Sequence, residues 1–205
     1  MMNQENQGEF RDPPEKRPEE KKEPSLTPAE SVKVEFYFWL QALVLALVCI
    51  ILVFTFVGRM IGVEGSSMVP TLHDNDMLLL QSVGYHPKQG DIVVLTKKSF
   101  LNLPIVKRVI AVGGQKVDMD YGTGTVRVDG TVLNEDYING KMQPPSYQSI
   151  SSVYVPQGYV FVMGDNRNFS SDSRDPQLGV VDERYILGRA LFVAFPFSRL
   201  GTSFT

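Results

Sequence analysis

The sequence predicts a mainly β protein: a single N-terminal transmembrane helix followed by an antiparallel β-sheet domain. Three observations predict it. Residues 36–58, FYFWLQALVLALVCIILVFTFVG, carry no charge, and Gln41 is their only strongly polar side chain. Beyond them, short runs rich in branched residues recur: DMLLLQS, DIVVLTK, PIVKRVIAV, TVRV, YVFVMG and ILGRALFVAF. Turn residues separate these runs, and no amphipathic helix of convincing length interrupts them. A chain of 205 residues suffices for one anchor and one domain with its own core.

Taken in order, residues 1–35 are charged and proline-bearing, as in RDPPEKRPEEKKEP, and show no apolar periodicity. Such a segment buries too little apolar surface to offset its ordering entropy, so it reads as a disordered cytoplasmic tail. The 36–58 run is long enough to span ~30 Å of hydrocarbon as a helix. Aromatics cluster at its ends, Phe36 to Trp39 and Phe54 to Phe56, where interfacial anchors sit. It begins late and ends in FVGRMIG rather than a small-x-small cleavage site, so it reads as an uncleaved anchor. Lys21, Lys22 and Lys33 precede it; Arg59 follows, and the next Lys or Arg is Lys88. That bias expects a single-pass plasma-membrane protein with a cytoplasmic N-terminus and residues 59–205 outside. Within 59–205, Asp129-Gly130 between TVRV and TVLN is a hairpin signature. Pro144 and Pro145 mark a surface loop.

Bulk numbers exclude several classes. A net charge of -3 gives no basis for nucleic-acid binding. The one cysteine, Cys49, lies inside the apolar run, which excludes an intramolecular disulfide and leaves a thiol nucleophile without water. With only His73 and His86, the chain is poor in metal ligands, so no metal and no cofactor are expected.

What remains is hydroxyl and amine chemistry. In EGSSMVPTL, Glu64 to Leu72, two serines sit between Gly65 and Pro70. They form either an ordinary turn entering the β domain or a nucleophile close to the bilayer. A serine hydroxyl needs a base to become a nucleophile. Neither histidine sits in a triad context, and the Gly-x-Ser-x-Gly elbow is absent. Lysine is the other candidate base. In PIVKRVIAV, strand parity puts Lys107 on the face of Ile105, Val109 and Ala111. Desolvation there favours the neutral amine. A fall from about 10.4 to about 8 represents about 3 kcal/mol of differential solvation and gives a competent general base. The alternative is an edge lysine with its head in water. Arg108 points to the opposite face, and a guanidinium keeps its proton.

The third segment is MGDNRNFSSDSRDPQLG, Met163 to Gly179. It reads as a polar loop held by local hydrogen bonds or as a buried network positioning a catalytic group. Asp172 and Arg174 can pair, and Ser170 can bond an uncharged amine. A calcium loop would carry more oxygens at regular spacing.

GSSMVPTL, GDIVVLTKKSFLNLPIVKRVIAVGG and GDNRNFSSDSRDPQLGVV, the last followed by ILGRALF, together resemble one family: bacterial type I signal peptidases, membrane-anchored Ser/Lys endopeptidases. The resemblance covers roughly residues 36–195. It implies a catalytic β domain with its cleft facing the membrane. It implies Ser67 rather than Ser66 as nucleophile, Lys107 as base, Ser170 as the serine contacting that lysine, and Asp172 and Arg174 as braces. Substrates would be exported preproteins with signal peptides, cut after small residues, with Ile61, Val63, Met68 and Val106 lining the pockets. Membrane lipid is the other expected partner, touched at FLNLP, Phe100 to Pro104, and the protein is expected to be a monomer. The chain departs from the family pattern in three places. Gly65 stands where some members carry a hydroxyl donor to the oxyanion, leaving chiefly the Ser67 N–H for that role. Phe169 replaces a frequent Asn, and Gln115 a usual Asp. The segment between Lys107 and Asp165 is short, so a large accessory β insertion is expected to be absent or minimal. Two other classes remain: an anchored scaffold with inactive motifs, and a self-cleaving Ser/Lys regulator.

Overall fold

The computed structural model describes residues 28–56, 59–97, 99–101, 103–145, 149–202 and 204. The charged tail up to residue 27 and the side chains of Phe54 and Phe56 lie outside the described residues. Helix α1 (Pro28–Phe56) starts eight residues before the apolar run. Proline suits a first helical position, where its missing N–H breaks no internal bond. Within α1, Val32–Leu52 is long and apolar enough by length and composition to cross a membrane, and its side chains are exposed.

The rest is antiparallel β, as the branched-residue runs and their separating turns imply. Eleven strands form in chain order among the described residues: β1 (Arg59–Gly62), β2 (Met77–Gln81), β3 (Ile92–Leu95), β4 (Ile105–Val112), β5 (Lys116–Asp120), β6 (Thr125–Val128), β7 (Thr131–Val132), β8 (Ser152–Tyr154), β9 (Tyr159–Met163), β10 (Val181–Asp182) and β11 (Ile186–Phe195). Seven make one sheet in the order β1-β2-β11-β3-β4-β9-β10, and four make a second in the order β7-β6-β5-β8. The second sheet lies in sequence between β4 and β9, so the segment after Lys107 carries a small sheet of its own. The Asp129-Gly130 hairpin forms as expected: both residues have positive φ, 51° and 81°, and Val128 faces Thr131. Positive φ at both central residues matches the twist of the flanking strands. Pro144 is exposed and Pro145 half-buried in an irregular stretch.

Strand β4 is the centre of the large sheet's chemistry. It pairs with β3 (Val93 opposite Lys107, Ile92 opposite Arg108) and with β9 (Met163 opposite Arg108). The parity expected from sequence holds through Val109, which packs with Ile105, Val93 and Val162. It fails at Ala111, which joins Ile110, Phe161 and Met163 in another cluster. The register shifts between Val109 and Ala111, and such a bulge moves the following side chain to the other face.

Candidate active site

The Ser-Ser segment is a loop between β1 and β2 closed at its base by backbone bonds. Val63 N donates to Asp76 O (2.8 Å) and Asn75 N to Val63 O (2.9 Å). Gly65 adopts φ 85°, a conformation that other residues strain to reach, and its N–H donates to Asp74 Oδ1 at 2.7 Å. The chain then turns tightly, with Val69 N donating to Ser66 O and Leu72 N to Met68 O. Met68 and Leu72 plug this turn into the core with Val63 and Val106. Ser67 is thereby half-buried while Ser66 is exposed.

Lys107 lies opposite it. Its side chain is 3% exposed, and its Nζ donates to Ser67 Oγ at 2.7 Å and to Val106 O at 3.0 Å. Burial lowers its pKa from 10.5 to about 8, against the opposing pull of Asp172 and Asp165. No carboxylate pairs with it directly among the described residues.

Arg108 and Asp165 fasten the other side of β4. Arg108 Nε and Nη2 donate to the two Asp165 oxygens at 2.9 and 2.7 Å, and Thr71 Oγ1 donates to Asp165 Oδ2 at 2.5 Å. This buried fork ties the end of the serine turn to the strand that carries the lysine. From the far side, Arg199 Nη2 donates to Thr71 O at 2.8 Å while Nη1 pairs with buried Asp76 and lies 2.6 Å from His73 Nδ1. His73 is thus a bracket of the loop rather than a base beside Ser67.

Of the two readings of the polar segment after β9, the structure shows the buried network. Asp165, Asn166, Arg167, Asp172, Ser173 and Arg174 are all buried. Asn166 N donates to Ser67 O (3.0 Å) and its Nδ2 to Ser66 O (3.1 Å). Asp172 accepts from Arg174 Nε at 2.8 Å and from Gly164 N at 3.0 Å. Arg174 Nη2 also donates to Arg167 O at 2.6 Å. Gly164 is a contact point: a Cβ there would stand 2.5 Å from Ser67 O and 2.6 Å from Ser170 Cβ. Only a residue without one lets the two segments meet.

Ser170 behaves differently from expectation. Its Oγ is buried without a hydrogen-bond partner among the described residues, since the amine's bonds run to Ser67 and Val106. The hydroxyl sits instead beside Gly164. Ile61, Val63, Met68 and Val106 do come together, in one apolar cluster. Three are buried, so they form a floor rather than an open pocket. A cavity of about 620 Å³ lies elsewhere, along Arg108, Tyr137, Gln89, Arg189 and Phe204, and none of the expected site residues lines it. Phe169 is 73% exposed, and Gln115 fills its position by accepting from Val112 N and donating to Asp129. Sequence reasoning assigned no role to Gly164, Asn166, Glu135 or Arg199; only the density of polar residues around Asp165 signalled the first two.

The Ser67 N–H has no partner among the described residues and is available to a developing oxyanion, whereas the Gly65 N–H is taken by Asp74. No group of three or more metal-ligating side chains occurs among the described residues.

Comparison with known proteins identifies the family. A family profile described as "Signal peptidase, peptidase S26" matches residues 36–195. The chain is 39% identical over 188 residues to a "Probable signal peptidase I-1" of Synechocystis sp., covering 87% of this chain and 90% of the relative. It is 34% identical over 177 residues to a "Signal peptidase I" of Bacillus licheniformis, covering 82% and 93%. A crystal structure of a signal peptidase I from Enterococcus faecalis V583 is 29% identical and covers 51% of this chain and 97% of that one, with a TM-score of 0.43. The chain therefore belongs to the S26 family of signal peptidases, as a peptidase of the signal peptidase I type.

Proposed function

We propose that this peptidase removes signal peptides from exported preproteins with Ser67 as nucleophile and Lys107 as general base, cutting after small residues. The observation that carries the reading is the 2.7 Å approach of a buried, pKa-lowered amine to a serine hydroxyl. At a pKa near 8, about a tenth of the amine is neutral at pH 7, against about 0.03% for an ordinary lysine. Neutral Lys107 takes the Ser67 proton as Oγ attacks the scissile carbonyl carbon. The oxyanion meets the Ser67 N–H. The protonated amine returns its proton to the leaving nitrogen, giving an acyl-enzyme. Water, deprotonated by the same amine, releases the acyl group.

The substrate lies extended beside Ile61 to Glu64, where β1 is an edge strand with one side unpaired. The mostly buried apolar floor of Ile61, Val63, Met68 and Val106 supports a preference for small side chains. Asp172 and Arg174 stiffen the loop, and Ser170 stands ready to bond the amine as the site closes on substrate. α1 holds the enzyme at the membrane with the N-terminus cytoplasmic and the β domain outside, as a monomer. Exposed Leu101 and Leu103 suit contact with lipid.

The test is cleavage of a labelled preprotein by the detergent-solubilised protein. Ser67→Ala and Lys107→Ala are expected to abolish processing and Ser66→Ala to retain it. Full activity in Ser67→Ala ends the nucleophile assignment. A preprotein with Phe in place of the small residue before the scissile bond is expected to go uncut.

A further inference from the structure

The loop of residues 134–142, which follows β7 of the small sheet, lies on the segment that holds the serine turn. Besides the Lys141 carbonyl, which accepts from Asn168 Nδ2 at 3.1 Å, three attachments bear on the serine turn. Glu135 takes Arg167 in a two-point pair, Nη1 to Oε2 at 2.9 Å and Nη2 to Oε1 at 2.5 Å, with both side chains buried. The Tyr137 ring lies under the Arg108 guanidinium at 4.0 Å and within 6.0 Å of that of Arg167. Asn139 N donates to Asp165 O at 3.1 Å.

Each of these three leads to the serine turn in one or two further contacts. Arg167 Nε donates to Gly164 O at 3.1 Å, and Gly164 is packed against the Ser67 carbonyl. Arg108 grips Asp165, which accepts from Thr71 at the end of the serine turn. Asn166, adjoining Asp165, donates to the Ser66 and Ser67 carbonyls. Among the described residues, Glu135, Tyr137 and Asn139 make no hydrogen bond or ion pair with Ser67 or Lys107 themselves.

We infer that Glu135 and Tyr137 are positioning residues for Ser67, acting through Arg167 and Arg108 to hold the serine turn against Lys107. The physical basis is compensation of charge. A buried guanidinium keeps one geometry when a carboxylate and a ring face satisfy it, and seeks other acceptors when they are removed. Arg167 stripped of Glu135 would turn towards backbone carbonyls of its own segment. Gly164 and Asn166 would shift with it, and the 2.7 Å serine–lysine contact would lengthen. The acidic side chain of an unremarkable loop thereby sets the rate of chemistry done on the other sheet.

This inference rests on the Ser67–Lys107 reading, and the experiment separates the two. Preprotein cleavage is measured with full-length Glu135→Gln, Tyr137→Leu and Tyr137→Phe proteins beside Ser67→Ala and Lys107→Ala. Rates are expressed per folded molecule, with the folded fraction read from the thermal transition. We expect Glu135→Gln and Tyr137→Leu to lose about tenfold in kcat with KM within about twofold, because the loss falls on the reacting geometry and not on substrate binding. Tyr137→Phe keeps the ring face and is expected within about threefold of wild type. Wild-type kcat in both Glu135→Gln and Tyr137→Leu overturns the inference. So does a rise in KM at unchanged kcat, or a loss in Tyr137→Phe equal to that in Tyr137→Leu. Should Tyr137→Leu not fold, the near-isosteric Glu135→Gln decides alone. Activity surviving in Ser67→Ala and Lys107→Ala sinks the dyad instead. Inactive dyad variants beside normal loop variants sink only the loop's role.

Discussion

Lys107 and Arg108 are neighbours on one strand, both cationic by type and both 3% exposed, yet the two faces of β4 treat them in opposite ways. Arg108 meets a carboxylate in a two-point fork, a tyrosine face and the Gly90 carbonyl. Lys107 meets a hydroxyl and a carbonyl, and its nearest carboxylates act only at a distance. The difference teaches how a fold divides labour between two cations. A buried guanidinium cannot shed its proton, so it needs a counter-charge and serves as structure. A buried amine can shed its proton, and denying it direct pairing turns burial into basicity.

The sharpest way to break the comparison is to exchange the roles. Lys107→Met is expected to lose at least about 1,000-fold in cleavage rate while keeping or raising the melting temperature, since an apolar chain suits that buried position better than a charge. Arg108→Met is expected to lose stability first, and activity with it as the serine turn loosens. It leaves Asp165 buried and unpaired, at a cost of about 3–5 kcal/mol read from denaturant unfolding.

The pH dependence sharpens the same point. Burial lowers the Lys107 pKa, so between about pH 8 and pH 10.5 the unfolded chain holds a proton that the folded chain lacks. Stability owed to this group is lowest below that window and rises through it, by about 3 kcal/mol in all. The stability difference between wild type and Lys107→Met, measured by unfolding at pH 7 and pH 10, is expected to move in favour of wild type at the higher pH.

Arg199 is an intermediate case, half-exposed but paired with an Asp76 that is 2% exposed. Arg199→Ala is expected to destabilise by about 1–3 kcal/mol, with Arg199→Lys recovering part of that in the same unfolding assay. Lys116 closes the series. It pairs with Asp118 at 2.9 Å with both side chains in solvent, so Lys116→Ala is expected to leave the melting temperature within about one degree.

How much of this could be read from sequence follows from physical range. The apolar run of α1 and the branched-residue runs of β2, β3, β4, β6, β9 and β11 are local patterns, and local patterns are legible. β5 was missed because its outward positions carry charged Lys116, Asp118 and Asp120, so only Val117 and Met119 speak for a strand. β1, β8 and β10 are two to four residues long and are held by their partners rather than by any pattern of their own. The pairing of Asp172 with Arg174 spans two residues and was legible; that of Asp165 with Arg108 spans 57 and was not. Ser67 and Lys107 were legible only through motif resemblance, because nothing local distinguishes a buried strand lysine from an edge one. Glu135 reads as a solvated loop acid until the fold brings Arg167 to it.

The central claim is best tested by titrating the Lys107 amine directly. With isotope-labelled lysine ε-carbons in the full-length, detergent-solubilised protein, the Lys107 resonance is identified by its loss in Lys107→Met. The account predicts a midpoint near pH 8, well below that of the exposed lysines. A midpoint at the ordinary value of 10.5 would mean an amine open to water and no base for Ser67.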